Sequence, residues 1–118
     1  MICILFSRPN HDVVVSYLYY HSKKLVDLSN SKRYKTINKE SKDATKTNIV
    51  KIIKRHKPNF IMFNGHGSPK VICGHKNEVI ISSDDNPEVL SSTITYSLSC
   101  ASGLELGKIA VDRGQFVL

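Results

Sequence analysis

Short apolar runs alternate with polar, lysine-rich stretches along the chain. Met1 to Ser7 is nearly continuous in apolar, β-branched and aromatic residues and is bounded by Pro9-Asn10, which predicts a central strand buried on both faces. Asn10 or Asp12 can cap a following helix to about Asp27, on which Val14, Leu18, His21 and Leu25 recur at i, i+4, i+7 and i+11. Three consecutive valines lower helix propensity at its start. Ser29 to Ser41 is polar and loop-like, with Tyr34 to Ile37 as a short edge strand. Asp43 opens a second helix to about Lys57, its stripe made of Ile49, Ile52, Ile53 and His56, and Pro58 stops it. Asn59 to Asn64 is a second buried strand that runs into Gly65-His66-Gly67-Ser68-Pro69. Val71 to Cys73 and Val79 to Ser82 predict a small hairpin, and Asp84 to Pro87 a turn. Thr93 to Leu98 is a third main strand that delivers Ser99-Cys100-Ala101-Ser102-Gly103 to its carboxyl end. A helix follows from about Leu104 to Arg113, Gly114 closes it, and Gln115 to Leu118 begins a fourth strand.

This order describes one α/β domain over residues 1–118, an open, mostly parallel sheet with helices on both faces. A chain of this length hides roughly two-thirds of its unfolded surface, enough for one core without disulfide or metal staples. The sequence stops as the fourth strand starts, so the fold is expected to be incomplete at its C-terminus. Further sequence, or a second copy pairing on the open edge, is expected to complete the sheet.

Composition narrows the classes. Hydrophobic residues are 41% and charged residues 23%, which argues against disorder and coiled coil. The longest apolar stretches fall far short of the ~20 residues that cross a bilayer, so no membrane contact is expected. Three cysteines without regular spacing fit the cytoplasm better than a disulfide framework. Cys73 and His75 form the only local pair of zinc-ligand type, too few for a metal site, and no metal or cofactor is expected. From Lys23 to Lys57 there are twelve Lys/Arg and three acids, a local +9 within a net charge of +7. That stretch lacks interleaved aromatics apart from Tyr34 and reads as the wet faces of helices, which weighs against nucleic-acid binding. Gly103-Leu104-Glu105-Leu106-Gly107-Lys108-Ile109 superficially resembles a phosphate-binding loop. It has three residues between its glycines where that loop needs four, and Ile where it needs Ser or Thr.

In open α/β sheets the functional groups gather at the carboxyl ends of the strands. Two main strands end there in His66 and Cys100. A histidine between two glycines can face a cleft while the adjoining backbone comes close to a substrate. A cysteine where a strand meets a helix lies near unpaired N–H groups, which favour the thiolate. The two make a candidate nucleophile–base pair. Cys3, Cys73, His11, His21, His56 and His75 read as structural or surface residues, and no third residue to orient His66 is evident. Asp12, Asp84 and Asp85 are acids with ready turn or cap roles.

The segments Phe63-Asn64-Gly65-His66-Gly67-Ser68 and Tyr96-Ser97-Leu98-Ser99-Cys100-Ala101-Ser102-Gly103 resemble the caspase-like cysteine peptidases, the group of caspases, gingipains, clostripain, separase and the CHAT-domain proteases. The resemblance extends to the order of elements along the chain and to the His-to-Cys spacing. It implies a caspase-like three-layer sandwich and a hydrolase in which Cys100 is the nucleophile and His66 the acid/base. It also implies an oxyanion hole made by the backbone N–H groups of Gly67 and Cys100, with a peptide or protein as substrate. Two other classes are a catalytically inactive domain of the same fold acting as an interaction or regulatory module, and a nucleic-acid-binding α/β domain.

Overall fold

A computed structural model describes residues 1–99, 103–112 and 116–117. The elements are β1 (Cys3–Arg8), α1 (Val13–Ser31), β2 (Lys35–Glu40), α2 (Lys46–His56), β3 (Phe60–Asn64), β4 (Gly67–Ser68), β5 (Val71–Cys73), β6 (Val79–Ser82), β7 (Ile94–Leu98), α3 (Lys108–Asp112) and β8 (Phe116–Val117). The main sheet has the order β2-β1-β3-β7-β8 with every pairing parallel, and β4-β5-β6 form a separate antiparallel sheet. β1 and β3 occupy the interior of the main sheet and are almost wholly buried, as their unbroken apolar runs predict.

Side-chain alternation along these strands sorts the layers. Ile4, Phe6, Phe60 and Met62 cluster with Val26 of α1 on one face, while Leu5, Ile61 and Phe63 cluster with Ile49 and Ile53 of α2 on the other. Ile72, Ile80, Ile81, Leu90 and Leu106 join the second cluster, so the small sheet and the segment after β7 share α2's side. Right-handed crossovers explain this asymmetry. The chain moves from β1 to β2 in one direction and then from β2 through β3 to β7 and β8 in the other, so among the described residues α1 alone is placed on its face.

Several predicted boundaries and faces are corrected. Of the two caps the sequence offers, Asp12 serves, accepting the Val15 N–H at 3.0 Å, but the helix continues past Asp27 to Ser31. Its buried residues are Val15, Ser22, Val26 and Ser29, not the predicted stripe of Val14, Leu18, His21 and Leu25. The polar stretch after it holds a six-residue edge strand, β2, where a short one over Tyr34 to Ile37 was predicted. Its backbone is captured in register along the whole of β1, from Cys3 beside Lys35 to Arg8 beside Glu40. An edge strand needs only one apolar face, and its lysines guard the open side.

Helix α2 begins at Lys46 because the Thr45 hydroxyl caps it at Asn48 N–H, and Asp43 lies in a preceding 3-10 turn. Left-handed Lys57 before Pro58 ends it. Gly67-Ser68 forms a third strand on the predicted hairpin, and the predicted turn leads into a 3-10 helix at Pro87–Leu90. The helix predicted from Leu104 starts as a π-helical turn, Gly103–Gly107, before α3. Parts of the predicted C-terminal elements, Arg113 to Gln115 and Leu118, lie outside the described residues. No helix among the described residues is long and apolar enough to cross a membrane.

Arg8 ends β1 and is 1% exposed. Its guanidinium donates to Ser22 Oγ at 2.7 Å, the Tyr19 carbonyl at 2.6 Å, Asn38 Oδ1 at 3.3 Å and Glu40 Oε2 at 3.0 Å, and it stacks on the Tyr19 ring. A buried charge needs this number of acceptors, and here they pin α1 across β1 and β2. Arg8→Met is expected to lower unfolding stability by about 2–4 kcal/mol in urea titration. Arg8→Lys is expected to recover little of it, because an ammonium cannot reproduce the planar fork.

Candidate functional site

The parallel register sets the position of the site. Asn64 ends β3 beside Leu98 at the end of β7, and the Gly65 N–H donates to the Leu98 carbonyl at 3.4 Å. The chain therefore leaves both strands at one edge, carrying His66 from β3 and Ser99 from β7. Cys100, the sequence-predicted nucleophile, lies outside the described residues. The Pro69 carbonyl accepts the N–H groups of Glu105 at 3.2 Å and Leu106 at 2.8 Å. Those bonds tie the loop after β3 to the segment after β7.

Gly65 makes the turn out of β3. Its φ is +147°, and a Cβ there would stand 2.6 Å from the Cys73 carbonyl oxygen and 3.3 Å from the Pro9 side chain. Only glycine meets both demands. Beyond it, the Cys73 N–H donates to the His66 carbonyl at 2.9 Å, while Gly67 lies opposite Ile72. Hydrogen-bonded and non-hydrogen-bonded pairs alternate in an antiparallel ladder. Gly67 is thus in a non-bonded pair, and its N–H points away from β5, as an oxyanion donor must.

The His66 ring is about one-third exposed, and its Nε2 lies 2.7 Å from Asp12 Oδ2. Asp12 stands at the start of α1, so one carboxylate caps the helix with Oδ1 and contacts the histidine with Oδ2. The Val15 N–H bond and the His66 contact together hold the Asp12 carboxyl below the ordinary aspartate range. An ionised carboxylate only accepts, so His66 Nε2 carries the proton and Nδ1 is the nitrogen left for a reacting group.

His11 completes the cluster. The Lys76 N–H donates to its Nδ1 at 3.0 Å, which places the ring proton on Nε2. That nitrogen reaches Asn77 Oδ1 at 3.2 Å and lies 3.6 Å from Asp12 Oδ2. The His75 ring meets His11 edge-on with centroids 5.7 Å apart. Ligand atoms of His11, Asp12 and His66 lie within 4.8 Å of one another. In this arrangement the three side chains are occupied with one another and with the 76–77 turn, through the Asp12–His66 contact and the His11 bonds to the Lys76 N–H and Asn77 Oδ1.

The sequence reading missed both Asp12 and His11 as neighbours of His66. They are 54 and 55 positions from it, and a cap and a loop histidine carry no sequence signal of that contact. Asp84 and Asp85 face Lys70 and Lys46 instead, at 3.8 and 2.7 Å. Cys3 and Cys73 are buried and free, and burial pushes the Cys73 thiol up. Comparison with family models, with curated proteins and with solved structures found no match.

Asp12 gives a two-variant test. Asp12→Ala removes cap and contact and is expected to lower the thermal midpoint by a few degrees, whereas Asp12→Asn keeps a good cap and is expected to stay close to wild type at neutral pH. Because the folded-state pKa of Asp12 is depressed, its charge stabilises the fold above the ordinary value of about 3.9, and that contribution is lost as pH falls through the lower folded value. Any gap between wild type and Asp12→Asn should therefore close as thermal scans are taken below about pH 4. Gly65→Ala is expected to destabilise the chain by about 2 kcal/mol or more in the same assay, from its backbone conformation and the Cys73 carbonyl clash.

Proposed function

We propose that the protein is a cysteine peptidase of caspase-like, three-layer architecture, in which Cys100 and His66 hydrolyse peptide bonds through a thioester. The observation that supports this most directly is the presentation of His66. It sits at the carboxyl edge beside the end of β7, oriented through Nε2 by an ionised Asp12, with Nδ1 left for proton transfer. Cys100 follows β7 by two residues in the sequence.

In this reading the Cys100 thiolate attacks the scissile carbonyl, and the carbon–sulfur bond forms as the carbonyl π bond opens onto oxygen. The Gly67 and Cys100 N–H groups hold that oxyanion, each such donor being worth about 3 kcal/mol of barrier. Collapse breaks the C–N bond, with the proton on His66 Nδ1 passing to the departing amine. Water then attacks the thioester, His66 takes its proton, and collapse breaks the C–S bond to release the acid and restore the Cys100 thiolate beside protonated His66. Asp12 holds the ring tautomer throughout and offsets the charge of the imidazolium. The chemistry needs no cofactor, and the substrate is a peptide or protein. Buried free thiols at Cys3 and Cys73 suit a reducing cytoplasm.

The basic stretch gives weaker support to a nucleic-acid interface, because its charges are spread over α1, the edge strand β2, the turns and α2, with the two helices on opposite faces of the sheet. A phosphate backbone needs them on one surface. The deciding experiment follows iodoacetamide alkylation of each cysteine by mass spectrometry between pH 5 and 9. Cys100 is expected to label well below the ordinary thiol pKa of ~8.5, to slow in His66→Ala, and to slow less in Asp12→Asn. Labelling no faster than Cys3 and Cys73, and indifferent to His66, would remove the peptidase reading and leave the inactive interaction module in its place.

A further inference from the structure

The stripe that periodicity assigns to the core of α1 is not the one the helix buries. Val14, Leu18, His21, Leu25, Leu28 and Lys32 follow one another by alternating steps of four and three residues. This is the spacing of a single stripe along one helix flank, the kind of ridge a second helix packs against. The buried residues Val15, Ser22, Val26 and Ser29 lie roughly a quarter turn away. Two of them are serines engaged by Arg8 and Thr36, so polar anchoring has fixed the rotation of the helix. The leucine stripe is left on the flank facing β3 and β7, with Leu25 and Leu28 43% and 50% exposed.

Between that flank and the strands runs an open apolar groove, formed by two adjoining cavities of about 460 and 260 Å³ that share Leu25, Met62 and Tyr96. Phe60, Met62, Tyr96 and Leu98 supply its floor. It is open because, among the described residues, α1 alone is placed on this face and is anchored towards β1 and β2 through Arg8, Tyr19 and Ser29.

We propose that this groove docks an amphipathic helix with an acidic flank, supplied by a partner protein and lying alongside α1 over β3 and β7. The stripe offers a ridge along which a second helix can lie, a fit that neither a strand nor an acyl chain makes to a helix flank. Charge selects its flank. Lys24 borders the stripe between His21 and Leu28, Lys32 closes its end, and neither has an ion-pair partner among the described residues. Asp27, the one acid of α1, is paired with Lys23 at 3.3 Å on the far side. A second copy would set lysine against lysine in a chain of net charge +7, so a different, acidic partner is favoured.

The test uses two labelled helical peptides of about 21 residues, both with Leu at the a and d positions, one with Glu and one with Lys at e and g. Fluorescence anisotropy is expected to show micromolar binding of the Glu peptide, about tenfold or more tighter than the Lys peptide. Leu25→Asp is expected to weaken it about tenfold, and Lys24→Glu with Lys32→Glu to reverse the preference. These side chains are already solvent-exposed, and circular dichroism checks that each variant folds. Absence of binding by either peptide, or equal binding of both, would overturn the proposal. So would a concentration-dependent dimer in sedimentation that Leu25→Asp abolishes, since that would assign the groove to a second copy.

Discussion

Strands β1 and β3 are covered on both faces, so their backbone N–H and C=O groups have no water to fall back on and must bond to neighbouring strands. That requirement draws a polar, lysine-rich segment into register along the whole of β1 and sets β7 along β3. It extends past the strand ends as well. The Asn59 side chain accepts the Cys3 N–H, and the Asn59 N–H donates to the Cys3 carbonyl, so the start of β3 is stitched to the start of β1. With all the strands parallel, their carboxyl ends lie on one edge. The loops bearing Asp12, His66 and Ser99 meet there as a consequence of pairing, and the Asp12–His66 contact then joins two of them.

Asp12 couples this framework to the site. Its two oxygens serve different masters, the first turn of α1 and the ring of His66, and each bond favours the ionised state that the other needs. The geometry of the histidine is thereby referenced to the helix, and the helix is referenced to β1 and β2 through Arg8, Tyr19 and Ser22. A base with a fixed tautomer, held by a group that is itself held, loses little freedom when a reaction requires one orientation.

The elements that were legible in the sequence are those whose signal is local. Apolar runs mark β1 and β3, a β-branched and aromatic run marks β7, and an isoleucine stripe and Pro58 mark α2, whose predicted opening at Asp43 falls three residues early. What the sequence concealed depends on distant partners. β2 is recruited by an existing strand edge rather than by its own hydrophobicity. The rotation of α1 is decided by Arg8 reaching Ser22 and by Ser29 meeting Thr36, contacts that outrank an otherwise regular leucine stripe. In the site, Gly65 and His66 stand out because glycine spacing is visible in one dimension. Asp12 and His11 do not, because their approach to His66 exists only once β1 and β3 are paired.

The two functional proposals share the same strands, the groove lying on one face and the site at the carboxyl edge. Met62 and Tyr96 face the open groove, whereas Phe63 points into the core beneath α2 and Asn64, one residue further, reaches back to the Leu18 carbonyl of α1. A helix seated over Met62 and Tyr96 would therefore press on β3 and β7, the strands whose register carries His66 to its place beside Ser99. Packed interiors transmit such displacements because they have no slack to absorb them. The groove and the site are therefore built on one pair of strands, β3 and β7, whose register fixes both the groove's floor and the place of His66.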